Sequence, residues 1–122
     1  MKVLIDTSVW ISHWKKEDQD LVQLLKDGQI FIHNFIEGEL ACGNASLHSS
    51  LLLPFRFLKR LPVADHSEVL KFRTEAKLRS AGIGYVDAHL LYVYLISSST
   101  LYSLDKAIVA VVKRLNLEFI PT

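Results

Sequence analysis

The chain has 122 residues, half of them hydrophobic, which is enough to bury one core of ordinary domain size and too few for a second. A formal net charge of +1 is too small to argue for nucleic-acid binding by itself, and a lone cysteine, Cys42, excludes an internal disulfide and a thiolate metal cluster. Any metal is therefore held mainly by oxygen or imidazole. The longest apolar stretches, around residues 90–96 and 51–53, are far shorter than the roughly 20 residues that span a bilayer. The N-terminus lacks the extended apolar segment of a signal peptide, so a cytoplasmic protein folded as a single domain over residues 1–122 is expected.

Residues 2–5 form a short apolar run ending at Asp6, and Thr7-Ser8 can cap a helix carrying Val9, Trp10, Ile11 and Trp14. A second helix is predicted over 18–27, where Leu21, Leu24 and Leu25 share a face and Gly28 supplies the stop. Residues 29–33 read as a strand, and Asn34 is placed to cap a third helix with Ile36, Glu39, Leu40 and Ala41 that ends near Gly43-Asn44. The leucine-rich stretch 47–61 reads as a fourth helix, kinked or started at Pro54, which lacks a backbone donor. Residues 62–64 suggest a short strand, Asp65 a cap, and 67–80 a charged amphipathic helix closed by Gly82. Gly82-Ile83-Gly84 then leads into 85–97, whose apolar character on nearly every side marks a buried helix. A strand over 100–104 runs up to Asp105, a helix over 106–114 follows, and 117–120 is the last strand. Strands alternating with helices at this pace favour an α/β fold, with a mostly parallel central sheet of about four to five strands flanked by helices.

Seven of the fourteen basic residues, Arg56, Lys59, Arg60, Lys71, Arg73, Lys77 and Arg79, lie between positions 56 and 79, against Asp65, Glu68 and Glu75. The segment reads equally as a solvated face and as a phosphate-contacting region.

In open parallel sheets, ligands collect at the carboxyl ends of the strands. Asp6 and Asp105 fall there, Glu39 lies about a turn into the helix after the second strand, and Asp87 lies in the first turn of the buried helix. Carboxylates gathered in a small volume repel one another, which raises pKa values unless a cation compensates. An all-oxygen set suits a hard cation such as Mg²⁺ or Mn²⁺, which would activate a water and shield charge on a phosphodiester. Taken singly, Asp6, Asp87 and Asp105 read equally well as helix caps or first-turn acids. Glu39 stands in the apolar context Ile36-x-x-Glu39-Leu40-Ala41, where an unpaired carboxylate is costly to bury, so it is expected to need a partner. His89, two positions past Asp87 on a helix, points away from it and reads as packing or surface, and His33 has a lesser claim to approach the acids. Trp10 and Trp14 share a face that reads as core or dimer contact, and Cys42 reads as inert packing.

Four segments stand in order along the chain: Val3-Leu4-Ile5-Asp6-Thr7-Ser8-Val9-Trp10-Ile11, Ile36-Glu37-Gly38-Glu39-Leu40-Ala41-Cys42-Gly43, Gly82-Ile83-Gly84-Tyr85-Val86-Asp87-Ala88-His89-Leu90-Leu91 and Tyr102-Ser103-Leu104-Asp105-Lys106. Together they resemble the motifs of PIN-domain ribonucleases, and the third is similar to a pattern common among the VapC toxins of type II toxin-antitoxin pairs. Ser103 stands where threonine is common in that family, and Ile108 where many relatives carry an aromatic residue. The resemblance implies a metal-dependent endoribonuclease with Asp6, Glu39, Asp87 and Asp105 as catalytic acids. Asp6, Asp87 and Asp105 would hold Mg²⁺ or Mn²⁺, Asp105 either directly or through water, and Thr7, Ser8 and Ser103 would orient the ligands or their waters. The reaction it implies is hydrolysis of RNA, a transfer or a ribosomal RNA, by in-line attack of a metal-activated water that leaves a 5′-phosphate. It further implies a homodimer, a small VapB-like antitoxin in the active-site groove, and no membrane association.

The alternative is a catalytically inactive PIN-like module that binds RNA or protein. Four intact acids argue against it, since a binding-only groove gains nothing from carboxylates that repel phosphate. Phosphoaspartyl hydrolases and receiver domains are disfavoured because Asp6-Thr7-Ser8 lacks a second aspartate, and a dinucleotide site because Gly82-Ile83-Gly84 is not continued by the glycine spacing that site requires.

Overall fold

A computed structural model describes residues 1–43, 49–79 and 81–120. Val3, Leu4 and Ile5 are all buried and form β1 (Val3–Ile5), as expected of a strand covered on both faces. It pairs in parallel with β2 (Ile30–Ile32), Val3 opposite Ile30, and on its other side with β4 (Thr100–Tyr102), Val3 opposite Thr100. Two short strands close the edges, β3 (Lys59–Arg60) beside β2 and β5 (Phe119–Ile120) beside β4, so the order is β3-β2-β1-β4-β5 and every pairing is parallel.

The α-helices among the described residues are α1 (Thr7–Lys15), α2 (Gln19–Lys26), α3 (Asn34–Cys42), α4 (His66–Glu75), α5 (Tyr85–Ile96) and α6 (Lys106–Arg114). Leu4 and Leu101 meet Ile36, Leu90, Leu91 and Ile108 on one side of the sheet. Tyr102, which alternation turns the other way, donates its hydroxyl to Asp18, the residue that caps α2. The chain steps outward from β1 to β2 and β3, then returns to build β4 and β5 on the opposite side. The direction of winding therefore reverses between β1 and β4, and the crevice at their carboxyl ends is where open α/β sheets bind ligands.

The five-stranded parallel sheet with flanking helices is the α/β arrangement expected, and the helices at 7–15, 19–26, 85–96 and 106–114 lie where local signals place them. Several local details differ. Asp6 and His33, not Thr7-Ser8 and Asn34, cap α1 and α3, because each is the last extended residue before its helix and its side chain accepts a bond from the first turn. The leucine-rich segment is two short 3-10 helices, Ser49–Leu51 and Leu53–Phe57, with Pro54 in the first turn of the second; residues 44–48 lie outside the described residues. Phe55 from this segment packs edge-on against buried Trp10, ring centres 4.7 Å apart, with Trp14 alongside, so the tryptophan face belongs to the core.

The strand expected at 62–64 is at Lys59–Arg60 instead. Pro62 has no donor and the Ala64 amide is taken by His89 Nε2, whereas Phe31 and Ile32 are free to pair with Lys59 and Arg60. The charged helix ends at Glu75, short of the expected position, and Lys77 turns to a φ of 54°. Arg114 at the end of α6 stabilises that turn by donating to the carbonyls of Ala76 and Lys77. Among the described residues no helix is long and apolar enough to cross a membrane.

Candidate active site

Asp6 follows β1 directly and is only 5% exposed. Its Oδ1 accepts from the Thr7 amide at 2.8 Å and the Thr7 hydroxyl at 3.3 Å, and its Oδ2 accepts from the Ser8 and Ser103 hydroxyls, each at 2.8 Å. Both serines also accept a backbone bond: Ser8 Oγ from Leu104 N and Ser103 Oγ from Asp105 N, each at 3.1 Å. The two hydroxyls therefore stitch the β1–α1 turn to the β4–α6 turn across the switch point, with the Asp6 carboxylate as the knot.

Ser103→Ala removes a donor to Asp6 and leaves the Asp105 amide without its acceptor. It is expected to cost about 1–3 kcal/mol, to lower the melting temperature by several degrees, and to reduce the RNA cleavage that the resemblance implies about 10- to 100-fold. Ser103→Thr, which keeps the hydroxyl, is expected to melt and cut close to wild type. Melts and cleavage rates on both variants check this, and an alanine variant that behaves like wild type would remove Ser103 from the site.

Asp105 caps α6, its Oδ1 accepting from Ala107 N at 2.9 Å and Ile108 N at 3.1 Å, while Oδ2 makes no hydrogen bond among the described residues. The capping and site readings of Asp105 are thus compatible, since one oxygen serves each. Asp87, half-buried in the first turn of α5, lines with Asp6 a gap of about 10 Å³ floored by Leu4, Leu101 and Ile108. Loss of hydration over this apolar floor, then the charges of Asp6 and Asp105, push its carboxyl above the usual range.

Glu39 departs from expectation. It lies on an exposed face of α3, so the argument that its burial demands a partner does not hold. Its carboxyl is nonetheless raised, by partial desolvation first and then by Asp87 and Asp6. These mutual effects draw the four acids into one electrostatic cluster at the switch point. The ion pairs among the described residues, Arg60–Glu37 and Lys71–Glu75, neutralise none of them. Nor does any group of three or more His, Cys, Asp or Glu side chains among the described residues form a ready-made metal cage.

Glu37, which flanks the second motif, is held by Arg60 through two bonds of 3.0 and 3.1 Å, with Asn34 accepting a third from the same guanidinium at 2.9 Å. That clamp leaves Glu39 as the uncommitted acid of the pair, and no local signal announces it, because Arg60 is 23 residues from Glu37. Of the basic segment, Arg60 and Lys71 are engaged in ion pairs, while Arg56, Lys59, Arg73, Lys77 and Arg79 are exposed. Cys42 is exposed and does not pack in the core as expected, because it falls on the outer side of the last turn of α3.

His33 and His89 are both buried and serve the scaffold. His33 Nδ1 accepts the Phe35 amide, His89 Nε2 accepts the Ala64 amide, each at 3.0 Å, and the two rings meet edge to face at 5.2 Å. Accepting at one nitrogen fixes the proton on the other, so both rings are neutral and carry it at His33 Nε2 and His89 Nδ1, buried atoms without a hydrogen-bond partner among the described residues. Burial first and then His89 push His33 down to about 4, the nearby Pro62 carbonyl acting weakly the other way, and burial lowers His89 as well. The pair ties the start of α3, which carries Glu39, to the start of α5, which carries Asp87.

A parallel sheet wound in this order, with acids converging on the β1/β4 crevice, is the PIN-domain architecture. Two solved structures share it: PAE2754 from Pyrobaculum aerophilum, with a TM-score of 0.67 over 98% of this chain and 91% of that one at 19% identity, and FitAcB from Neisseria gonorrhoeae, with a TM-score of 0.64 over 96% and 95% at 17% identity. No family model matches the chain. In sequence it is similar to Ribonuclease VapC32 of Mycobacterium tuberculosis strains H37Rv and CDC 1551, at 38% identity over 109 residues, covering 88% of either chain. The chain belongs to the VapC ribonuclease family.

Proposed function

We propose that this protein is the toxin of a VapBC-type pair, an endoribonuclease that hydrolyses phosphodiesters of a transfer or ribosomal RNA in the cytoplasm with the help of Mg²⁺ or Mn²⁺. The observation that carries the reading is the cluster of Asp6, Glu39, Asp87 and Asp105 at the switch point, with the carboxyls of Glu39 and Asp87 raised and no described cation paired to any of the four. Family membership supports the activity, a VapB-like antitoxin as partner, and a homodimer.

The donor set fits a hard divalent ion: all its donors are oxygen, and the repulsion within it calls for positive charge. Asp6, Asp87 and Asp105 would hold the ion. Once bound it would supply charge neutralisation for the phosphate and a more acidic water. The missing three-ligand cage is the one point in favour of a module that binds without cutting. It weighs little, because Mg²⁺ keeps several waters and needs few protein ligands. Thr7, Ser8 and Ser103 keep Asp6 in a single orientation, which limits reorganisation during reaction. Asp105 offers the oxygen that capping leaves over. Glu39, raised in pKa and without a hydrogen-bond partner among the described residues, is suited to take the proton from a water attacking in line.

Purified protein free of antitoxin is expected to cut total cellular RNA in Mg²⁺ or Mn²⁺, to stop in EDTA, and to leave 5′-phosphate ends at sites in one RNA. Asp6→Asn is expected to be inactive in either metal. Well-folded wild type that cuts nothing, or an Asp6→Asn variant that cuts equally well, would sink the catalytic reading and leave the binding module.

A further inference from the structure

We propose that a single-stranded stretch of the substrate RNA lies along the groove between α6 and β5, where Lys106 and Lys113 bind its phosphates and Phe119 supports a base. The assignment rests on the ribonuclease reading and adds to it the path by which substrate reaches the acids. The groove, about 440 Å³, is lined by Ser103, Leu104, Lys106, Val109, Lys113 and Phe119. Ser103 is shared with the site, since its hydroxyl holds Asp6 and receives the Asp105 amide. One end of the groove is therefore the wall of the acid cluster.

Lys106, Val109, Ala110 and Lys113 recur at the spacing of one helix face, so both ammonium groups border the same trough. Seven residues of helix separate them by about 10 Å along the axis, against about 3.4 Å per nucleotide of a stacked strand, so the pair addresses different phosphates. Among the described residues neither lysine forms an ion pair and no carboxylate lines the groove. Lys113 Nζ lies 5.8 Å from the centre of the Phe119 ring, which joins a cation to a stacking surface. Lys106 also stands in the first turn of α6, where the helix dipole disfavours a cation. A locally unfavourable charge beside a site is where function is expected to override propensity.

Electrostatics supply the reason for a partner of this kind. Four acids repel the phosphodiester they must receive, and cations alongside the cluster offset that repulsion for the flanking phosphates. A groove combining positive charge with an aromatic face binds single-stranded nucleic acid with little regard to sequence.

The test is anisotropy of a labelled single-stranded RNA oligonucleotide in EDTA, which prevents hydrolysis, at several KCl concentrations. It compares wild type with Lys106→Gln/Lys113→Gln, with Phe119→Leu, and with the control Lys15→Gln/Lys16→Gln at the exposed end of α1. The lysine pair is expected to weaken binding at least ~10-fold and to lower the slope of log affinity against log salt by about 0.7 for each lysine. Phe119→Leu is expected to weaken binding without changing that slope, and the control to leave both unaltered. Equal affinity and slope in the lysine variant, or no binding by wild type, overturns the groove. A change in sedimentation mass with RNA affinity intact also overturns it and makes this face a contact between copies of the chain. Wild type that cuts RNA while the lysine variant binds normally removes the groove alone. Groove-dependent binding by a wild type that never cuts removes the ribonuclease reading alone.

Discussion

Asp87→Asn is expected to abolish RNA cleavage and, at the same time, to raise the melting temperature measured in EDTA. The carboxyl sits over an apolar gap and faces Asp6 and Asp105, which raises its pKa in the folded protein. An acid whose folded pKa is raised binds its proton more tightly when folded, so its ionised form costs stability at neutral pH. That cost fades as pH falls through the raised pKa and is gone below the unfolded value. Asparagine keeps the shape and removes the charge, so the cost disappears at pH 7. The loss of activity should exceed the roughly 100-fold that supporting residues of metal sites cause. On the proposed reading Mg²⁺ would bind the folded state only, so it is expected to raise the melting temperature of wild type and to raise that of Asp87→Asn less. Asparagine that melts below wild type in EDTA would refute the repulsion argument, and one that still cuts would take Asp87 out of the reaction.

A second large effect is expected on acidification, centred on the buried histidines. His33 has its pKa lowered from 6.5 to about 4. A group with a depressed folded pKa contributes stability that is complete above its unfolded value and is lost as pH falls through the window between the two. Here that window runs from about 6.5 down to about 4, and a fully buried ring shifted this far accounts for about 3 kcal/mol. His89 moves in the same direction, whereas the raised carboxyls of Glu39 and Asp87 shed their repulsion on acidification and oppose it. The informative comparison is therefore His33→Asn against wild type. Asparagine retains an oxygen for the Phe35 amide and is a favoured cap, yet cannot titrate. Urea unfolding at pH 7 and pH 4.5 should show the variant losing much less stability between the two than wild type does. The same loss in both proteins would clear His33 of the effect.

The sequence by itself determined the alternation of strands and helices, the order of the four acid-bearing motifs, and the ends of α2, α5 and α6. Those features rest on signals that act within a turn or two: an apolar run into Asp6, Asp105 as a cap, and Gly28 as a stop. Tertiary structure decided the rest of the site. It set β3 at Lys59–Arg60 although 62–64 read better locally, because a strand exists only where a neighbour offers its backbone, and β2 offered it there. It exposed Glu39 and Cys42 in a stretch that reads as apolar, and it committed Glu37 to an arginine far along the chain. It also made His33 a cap and set its ring against His89. Caps and periodicity are properties of neighbours along the chain, whereas burial, charge repulsion and pKa depend on neighbours through space. The four carboxylates could thus be named from the sequence, but their shared field exists only once β1 and β4 lie side by side and Ser8 and Ser103 close on Asp6.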